Sequence, residues 1–198
     1  MMSGLWQRVE RRLARAHQHR RMVRAASRPH ELATCVAHAR TILFVCHGNI
    51  IRSAFAAELM RSRNLGPTDV RVRSAGLEAK SNGPAHPTAV ECARRFGVDL
   101  SAHRTHRLGL NDTEEADVLL AMEVDHVLEI HRRFPQCRHK VYLLGCFTNE
   151  HPLEVADPVY LPRDAFDTCF ERIDREVRRI IEMLPEPSRA SAPTRQVE

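Results

Sequence analysis

Cys46 and Arg52 bracket the segment Cys46-His47-Gly48-Asn49-Ile50-Ile51-Arg52-Ser53. A thiolate is a strong nucleophile, and a guanidinium fork grips two phosphate oxygens where an ammonium offers only a point charge. The pair therefore suits attack on a phosphorus centre. If the segment joins a strand to a helix start, unpaired amides and the helix dipole add positive potential inside the loop. His47, Gly48, Asn49, Ile50, Ile51, Arg52 and Ser53 would then surround a phosphate dianion. Gly48 and Asn49 are residue types that tolerate the left-handed backbone of a tight turn. The same field favours a Cys46 thiolate, and Ser53 can donate a hydrogen bond to its sulfur. The spacing recurs at Cys169 and Arg175, but there it falls inside a helical pattern with Cys169 on the apolar side.

Such chemistry also needs a proton donor for the leaving oxygen. Asp157-Pro158 is the sole Asp-Pro pair in the chain. It lies between the last strand pattern and the last helix pattern, where a loop could fold over the strand ends.

The elements that must position these groups follow from periodicity. Thr41-Ile42-Leu43-Phe44-Val45 is a short apolar run of the kind that makes a buried strand, and it ends directly at Cys46. A helix is expected over 53–64, stopped by Leu65-Gly66-Pro67. Strands are expected over 70–74, 117–121 and 140–144. Helices are expected over 87–96, 123–133 and 163–184. The last carries Phe166, Phe170, Ile173, Val177, Ile181 and Leu184 on one stripe. Strands alternating with helices imply a parallel sheet covered on both faces, with ligands at the carboxyl ends of the strands.

Ahead of this region, Leu5, Val9, Leu13, Ala16 and Val23 recur at helical spacing with arginines between them, and a second short helix is expected over 31–38. The net charge of +5 is unevenly spread. Residues 1–40 hold nine Arg against Glu10 and Glu31, whereas the rest holds 21 bases and 23 acids. Composition thus divides the chain into a basic helical extension (1–40), a near-neutral domain (41–184) and a tail expected to be disordered (185–198). The body gives no argument for nucleic-acid binding. The extension suits an acidic partner or an anionic membrane surface, and Trp6 with its leucines could instead dock it on the domain. No apolar run is long enough to span a membrane. Six scattered cysteines point to free thiols in a reducing, cytoplasmic compartment. Cys35 with His38, and Cys137 with His139, have ligand-like spacing, but neither has a matching second pair, so no metal is expected.

Four pieces occur in chain order: Cys46–Ser53, Arg73-Ser74-Ala75-Gly76-Leu77, Gly97-Val98-Asp99-Leu100-Ser101-Ala102-His103-Arg104, and Asp157-Pro158 before the final helix. Together they resemble the low-molecular-weight protein tyrosine phosphatase family over about residues 41–184. The resemblance implies an α/β, flavodoxin-like fold with a four-stranded parallel sheet, helices on both faces and no cofactor. It implies a phosphomonoesterase working through a phosphocysteine on Cys46, with Arg52 holding the phosphoryl oxygens and Asp157 as general acid. Asn49, Ser53, Ser74 and His103 would support the loop. The substrate would be a phosphotyrosine protein or a small phosphomonoester. The chain departs from the family pattern at Ile51, where many members carry a second Cys, at Ala54 in place of a common Pro, and at Val159, with Tyr160 one residue beyond the usual aromatic. It also lacks an aromatic near Leu77. Two other readings share the loop: an arsenate reductase coupled to Cys92, Cys137 or Cys146, and a non-catalytic phosphate-binding module.

Overall fold

A computed structural model describes residues 3–63 and 70–185. The expected stop at Leu65-Gly66-Pro67 and the tail beyond Pro185 lie outside the described residues. In chain order the elements are α1 (Ser3–Ala26), α2 (Pro29–Ala37), β1 (Thr41–Cys46), α3 (Arg52–Arg63), β2 (Arg71–Gly76), α4 (Pro87–Ala93), α5 (Leu110–Glu115), β3 (Val118–Ala121), α6 (Val124–Arg133), β4 (Val141–Leu143) and α7 (Arg163–Met183).

The strands form one parallel sheet of order β2-β1-β3-β4. β1 and β3 are buried along their whole length. That is the state of strands covered on both faces, and it explains their unbroken apolar sequences. From β1 the chain moves out to β2, then crosses back to β3 on the other side. The loops leaving β1 and β3 therefore diverge, and the crevice between them is the topological switch point of the sheet. Cys46 is the last residue of β1, and Glu123 follows β3 by two residues.

α7 fastens the core beneath that crevice. Phe166, Phe170, Ile173, Val177 and Ile180 are its buried stripe. Ile180 takes the place expected of Ile181 because the helical period carries the stripe there from Val177. Phe170 stacks on Phe55 of α3 with centroids 3.8 Å apart, and Phe96 meets Phe55 edge-on at 5.2 Å. These rings fix α3, and with it the start of the helix that follows Cys46.

The N-terminal helices pack on the domain. Gln18, Met22 and Ala26 of α1 and Leu32 and Val36 of α2 are buried. Arg15 pairs with Asp125 of α6 and with Glu154. Most of the stripe expected to be the apolar face is not the docking face: Val9, Leu13 and Ala16 are exposed, as is Trp6, while Val23 packs against the core and the side chain of Leu5 lies outside the described set. Docking uses Arg15, Gln18 and Met22 instead, because the surface it meets offers carboxylates as well as apolar groups. No described helix is long and apolar enough to cross a membrane.

α5 was not expected from the sequence, and the segment after α4 tightens into a 3-10 turn over Arg94–Phe96, closed by Gly97 at φ +74.

Candidate active site

The loop 47–51 connects β1 to α3, and its shape is set by where its carbonyls go. The carbonyl of Cys46 accepts from Leu77 N–H (3.0 Å), that of His47 from Glu78 (2.9 Å), that of Ile50 from His86 (2.8 Å) and that of Ile51 from Phe55 (2.9 Å). The carbonyl of Asn49 accepts from His103 Nε2 at 2.8 Å. A carbonyl cannot donate, so that ring nitrogen carries the hydrogen. With these five carbonyls occupied around the outside, the amides are left for the inside. Among the described residues, no backbone or side-chain acceptor meets the N–H groups of His47, Gly48, Ile50 or Ile51. Such a nest at the start of a 12-residue helix is built for an anion.

The turn itself falls on Asn49, at φ +55. Gly48, also expected to be left-handed, is not in that region. Its neighbour Gly76 carries the steric requirement instead. A Cβ there would meet Asn49 N and His47 O at 2.8 Å and Gly48 C at 2.9 Å. The end of β2 thus presses against the loop so closely that only glycine fits.

Cys46 is buried at the floor of the loop. Its Sγ lies 3.0 Å from Ser53 Oγ and accepts the Asn49 amide at 3.2 Å. Asn49 Nδ2 donates to Ser53 Oγ at 2.9 Å, and Asn49 Oδ1 accepts from His106 N–H at 2.9 Å. Of the expected support residues, Asn49, Ser53 and His103 are joined in this network. Ser74 is not; the contact from β2 is the carbonyl of Ala75, which faces Ser53 Oγ at 3.2 Å. Ser74 stands one residue earlier and lines a separate cavity with His103, Glu58 and Arg61.

Arg52 is 1% exposed. Its guanidinium bonds Glu123 and Asp157 and donates to Val155 O at 2.9 Å. Burial opposes its charge, but the neighbouring Cys46, Asp157 and Glu123 outweigh burial and hold it above the ordinary arginine range. Glu123 is the site residue the sequence reading missed. Its signal was its position directly past the end of a buried strand, at the switch point. Asp157 is a third exposed and accepts the Val159 amide at 3.2 Å. One cavity of about 530 Å³ is lined by Cys46, His47, Gly48, Arg52, Asp157 and Tyr160 among others. Tyr160 is almost fully exposed at its rim. A second cavity of about 690 Å³ adjoins it through His47, Arg52 and Asp157 and extends across Glu123 and His126 to Arg11 of α1.

The other candidates sit elsewhere. All six cysteines are free. Burial raises the thiols of Cys92 and Cys137 and pushes Cys146 up to about 12, a poor starting point for a thiol relay. Cys169 is likewise pushed up to about 12 by burial. Cys35 lies 3.5 Å from the Tyr142 hydroxyl, and His38 Nδ1 is engaged with Thr34 O at 2.8 Å.

A thiol on the floor of an amide nest, beside a buried arginine and at the switch point of a flavodoxin-like sheet, defines the class of cysteine-based phosphate-handling enzymes. Residues 41–190 match the family described as low molecular weight phosphotyrosine protein phosphatase, and the chain belongs to that family. It is 38% identical over 138 residues to a probable low molecular weight protein-tyrosine-phosphatase, EpsP, of Ralstonia nicotianae, covering 70% of this chain and 91% of that one. It is 34% identical to the phosphatase Etp of Escherichia coli, over 68% of this chain and 88% of that one. Among solved structures, the Erwinia amylovora tyrosine phosphatase AmsI superposes with a TM-score of 0.69 at 30% identity, covering 75% of this chain and 95% of that one. The YwlE arginine phosphatase of Geobacillus stearothermophilus gives 0.67 at 30% identity, over 72% and 90%. The protein is a phosphatase of this family, with a flavodoxin-like fold.

Proposed function

We propose that the chain hydrolyses phosphotyrosine in proteins through a phosphocysteine on Cys46. The observation that carries this reading is the convergence of Cys46 Sγ, four free loop amides, Arg52 and Asp157 on one cavity. An arriving phosphate dianion takes its place on the amides and competes with Asp157 for the guanidinium. Glu123 retains the other side of the fork, so Arg52 stays aligned while Asp157 is released toward the leaving oxygen. Once free of the guanidinium, Asp157 takes up a proton from solvent. The Cys46 thiolate then attacks phosphorus in line, the bond from phosphorus to the phenolic oxygen breaks, the amides and Arg52 hold the equatorial oxygens, and Asp157 gives its proton to the departing phenolate. Asp157 then takes a proton from water, which attacks the phosphocysteine. The Ser53 hydroxyl steadies the departing thiolate. The loop is braced by Asn49, Ser53 and His103.

The mixed rim, with Val159 beside the cavity and Tyr160 exposed, admits other phosphorylated groups, and one structural relative is named an arginine phosphatase. A panel of phosphotyrosine peptide, phosphoarginine and p-nitrophenyl phosphate, run with chelator, tests the substrate class. Preference for phosphoarginine would replace phosphotyrosine in this reading. We place the enzyme in the cytoplasm, where a reactive thiol stays reduced. The exposed Trp6, Val9 and Leu13 among the arginines of α1 support a peripheral contact with an anionic membrane surface. Sedimentation with anionic vesicles tests it, and equal recovery with neutral vesicles would argue against it.

A further inference from the structure

Arg15 of α1 reaches across the domain surface to the segment that carries Asp157. Its Nη2 lies 2.9 and 2.8 Å from the two carboxylate oxygens of Glu154, and its Nη1 lies 2.7 Å from Asp125 Oδ2. Glu154 Oε1 also accepts the amide of Val124, the first residue of α6, at 2.9 Å. The next residue, Val155, donates its amide to Met122 O at 2.8 Å and accepts Arg52 Nη1 at 2.9 Å. Asp157 follows two residues later. Glu154 and Val155 are therefore the point at which the acid segment is tied to the end of β3 and the start of α6.

An isolated pair of this exposure contributes little to stability. Here, however, one guanidinium joins carboxylates from two elements that flank the switch point. Its position is itself fixed, because Gln18 and Met22, one and two turns further along α1, are buried against the domain. The cavity that contains Arg52 and Asp157 continues to Arg11 and Ala14 of the same helix. Arg15 lies outside residues 41–190, the span that matches the family. The anchor is thus supplied by the part of this chain that the family unit does not include.

We propose that α1 is a positioning element of the active site, with Arg15 holding the acid segment through Glu154 so that Asp157 meets the leaving oxygen. The inference rests on the reading of Asp157 as the proton donor. A loosened acid segment hurts most where the leaving group needs its proton most.

The test compares kcat/KM, which reports the step in which the leaving group departs, on p-nitrophenyl phosphate and phenyl phosphate for the full-length wild type, Arg15→Ala, Arg15→Lys, Glu154→Gln and Asp157→Ala. Arg15→Ala and Glu154→Gln should each raise the ratio of the two kcat/KM values roughly fivefold, in the direction of Asp157→Ala but by less. Arg15→Lys, which keeps the charge, should recover part of the change. If Asp157→Ala raises the ratio while Arg15→Ala and Glu154→Gln keep that of the wild type, the proposal fails and the acid reading stands. Equal losses on both esters would mark Arg15 as merely structural and also overturn it. If Asp157→Ala leaves the ratio unchanged, the acid reading falls and this proposal falls with it.

Discussion

Arg52 and Asp157, 105 residues apart in the chain, form an ion pair at the mouth of the candidate site. Arg52 Nη1 meanwhile holds Glu123 and the Val155 carbonyl. One buried guanidinium thus ties together the start of α3, the loop after β3 and the acid segment. The phosphate-binding fork and the proton donor are assembled by the same contact.

Removing the charge of Glu123 should therefore loosen Arg52 without touching substrate. A hydrogen bond to a charged group contributes about 1.5–3 kcal/mol, so Glu123→Gln should weaken phosphate binding by about tenfold or more. Steady-state kinetics with inorganic phosphate as competitive inhibitor reads this directly. Unchanged phosphate inhibition would show that Val155 and Asp157 suffice to hold the fork.

Gly76 has no room for a methyl group, since backbone atoms of His47, Gly48 and Asn49 lie within 2.9 Å of where it would sit. Backbone cannot swing aside as a side chain can, so Gly76→Ala must shift the loop. The expected cost is about 1–3 kcal/mol of stability, with kcat reduced at least tenfold as the amide nest deforms. Thermal denaturation and p-nitrophenyl phosphate turnover measure the two effects. A variant with wild-type kcat would show that the loop tolerates the displacement.

Two buried histidines make stability depend on pH. Burial, reinforced by the Arg52 charge, pushes His126 down to about 3, and burial with the Arg21 charge pushes His131 down to about 4. In the unfolded chain each titrates near 6.5. Between these values the unfolded state binds the proton and the folded state refuses it. Their contribution is thus fully present above about pH 6.5 and is lost progressively as pH falls toward 4 and below. The slope is at most about 1.4 kcal/mol per pH unit for each histidine. The thermal midpoint should fall from pH 7 to pH 5, and His126→Gln should flatten that fall. An identical slope in the variant would exclude His126 as its source.

The parallel sheet and the loop were legible because they depend on local pattern. A five-residue apolar run can only be a buried strand when turn signals follow it at once, and Cys46 stands directly at its end. The residues that were not legible act across the chain. Glu123 differs from other surface acids only in following β3 at the switch point, and Gly76 only in lying under a loop that precedes it by nearly thirty residues. α5 is six residues long and carries no apolar stripe; it is held by Asp112, which accepts the Gly109 amide at 2.8 Å. The docking face of α1 was hidden because it is partly ionic. Arg15 looks like any other arginine in a basic helix until Asp125 and Glu154 are brought to it.

In the proposed reaction Cys46 carries the phosphoryl group between substrate and water. Rapid quenching of Asp157→Ala with p-nitrophenyl phosphate, followed by mass analysis of the peptide containing residue 46, tests it most directly, because slowed hydrolysis lets the intermediate accumulate. One phosphoryl group is expected on Cys46, without added metal, and none in Cys46→Ser. Turnover by Asp157→Ala with no adduct on Cys46 under these conditions, or full activity in Cys46→Ser, would contradict it.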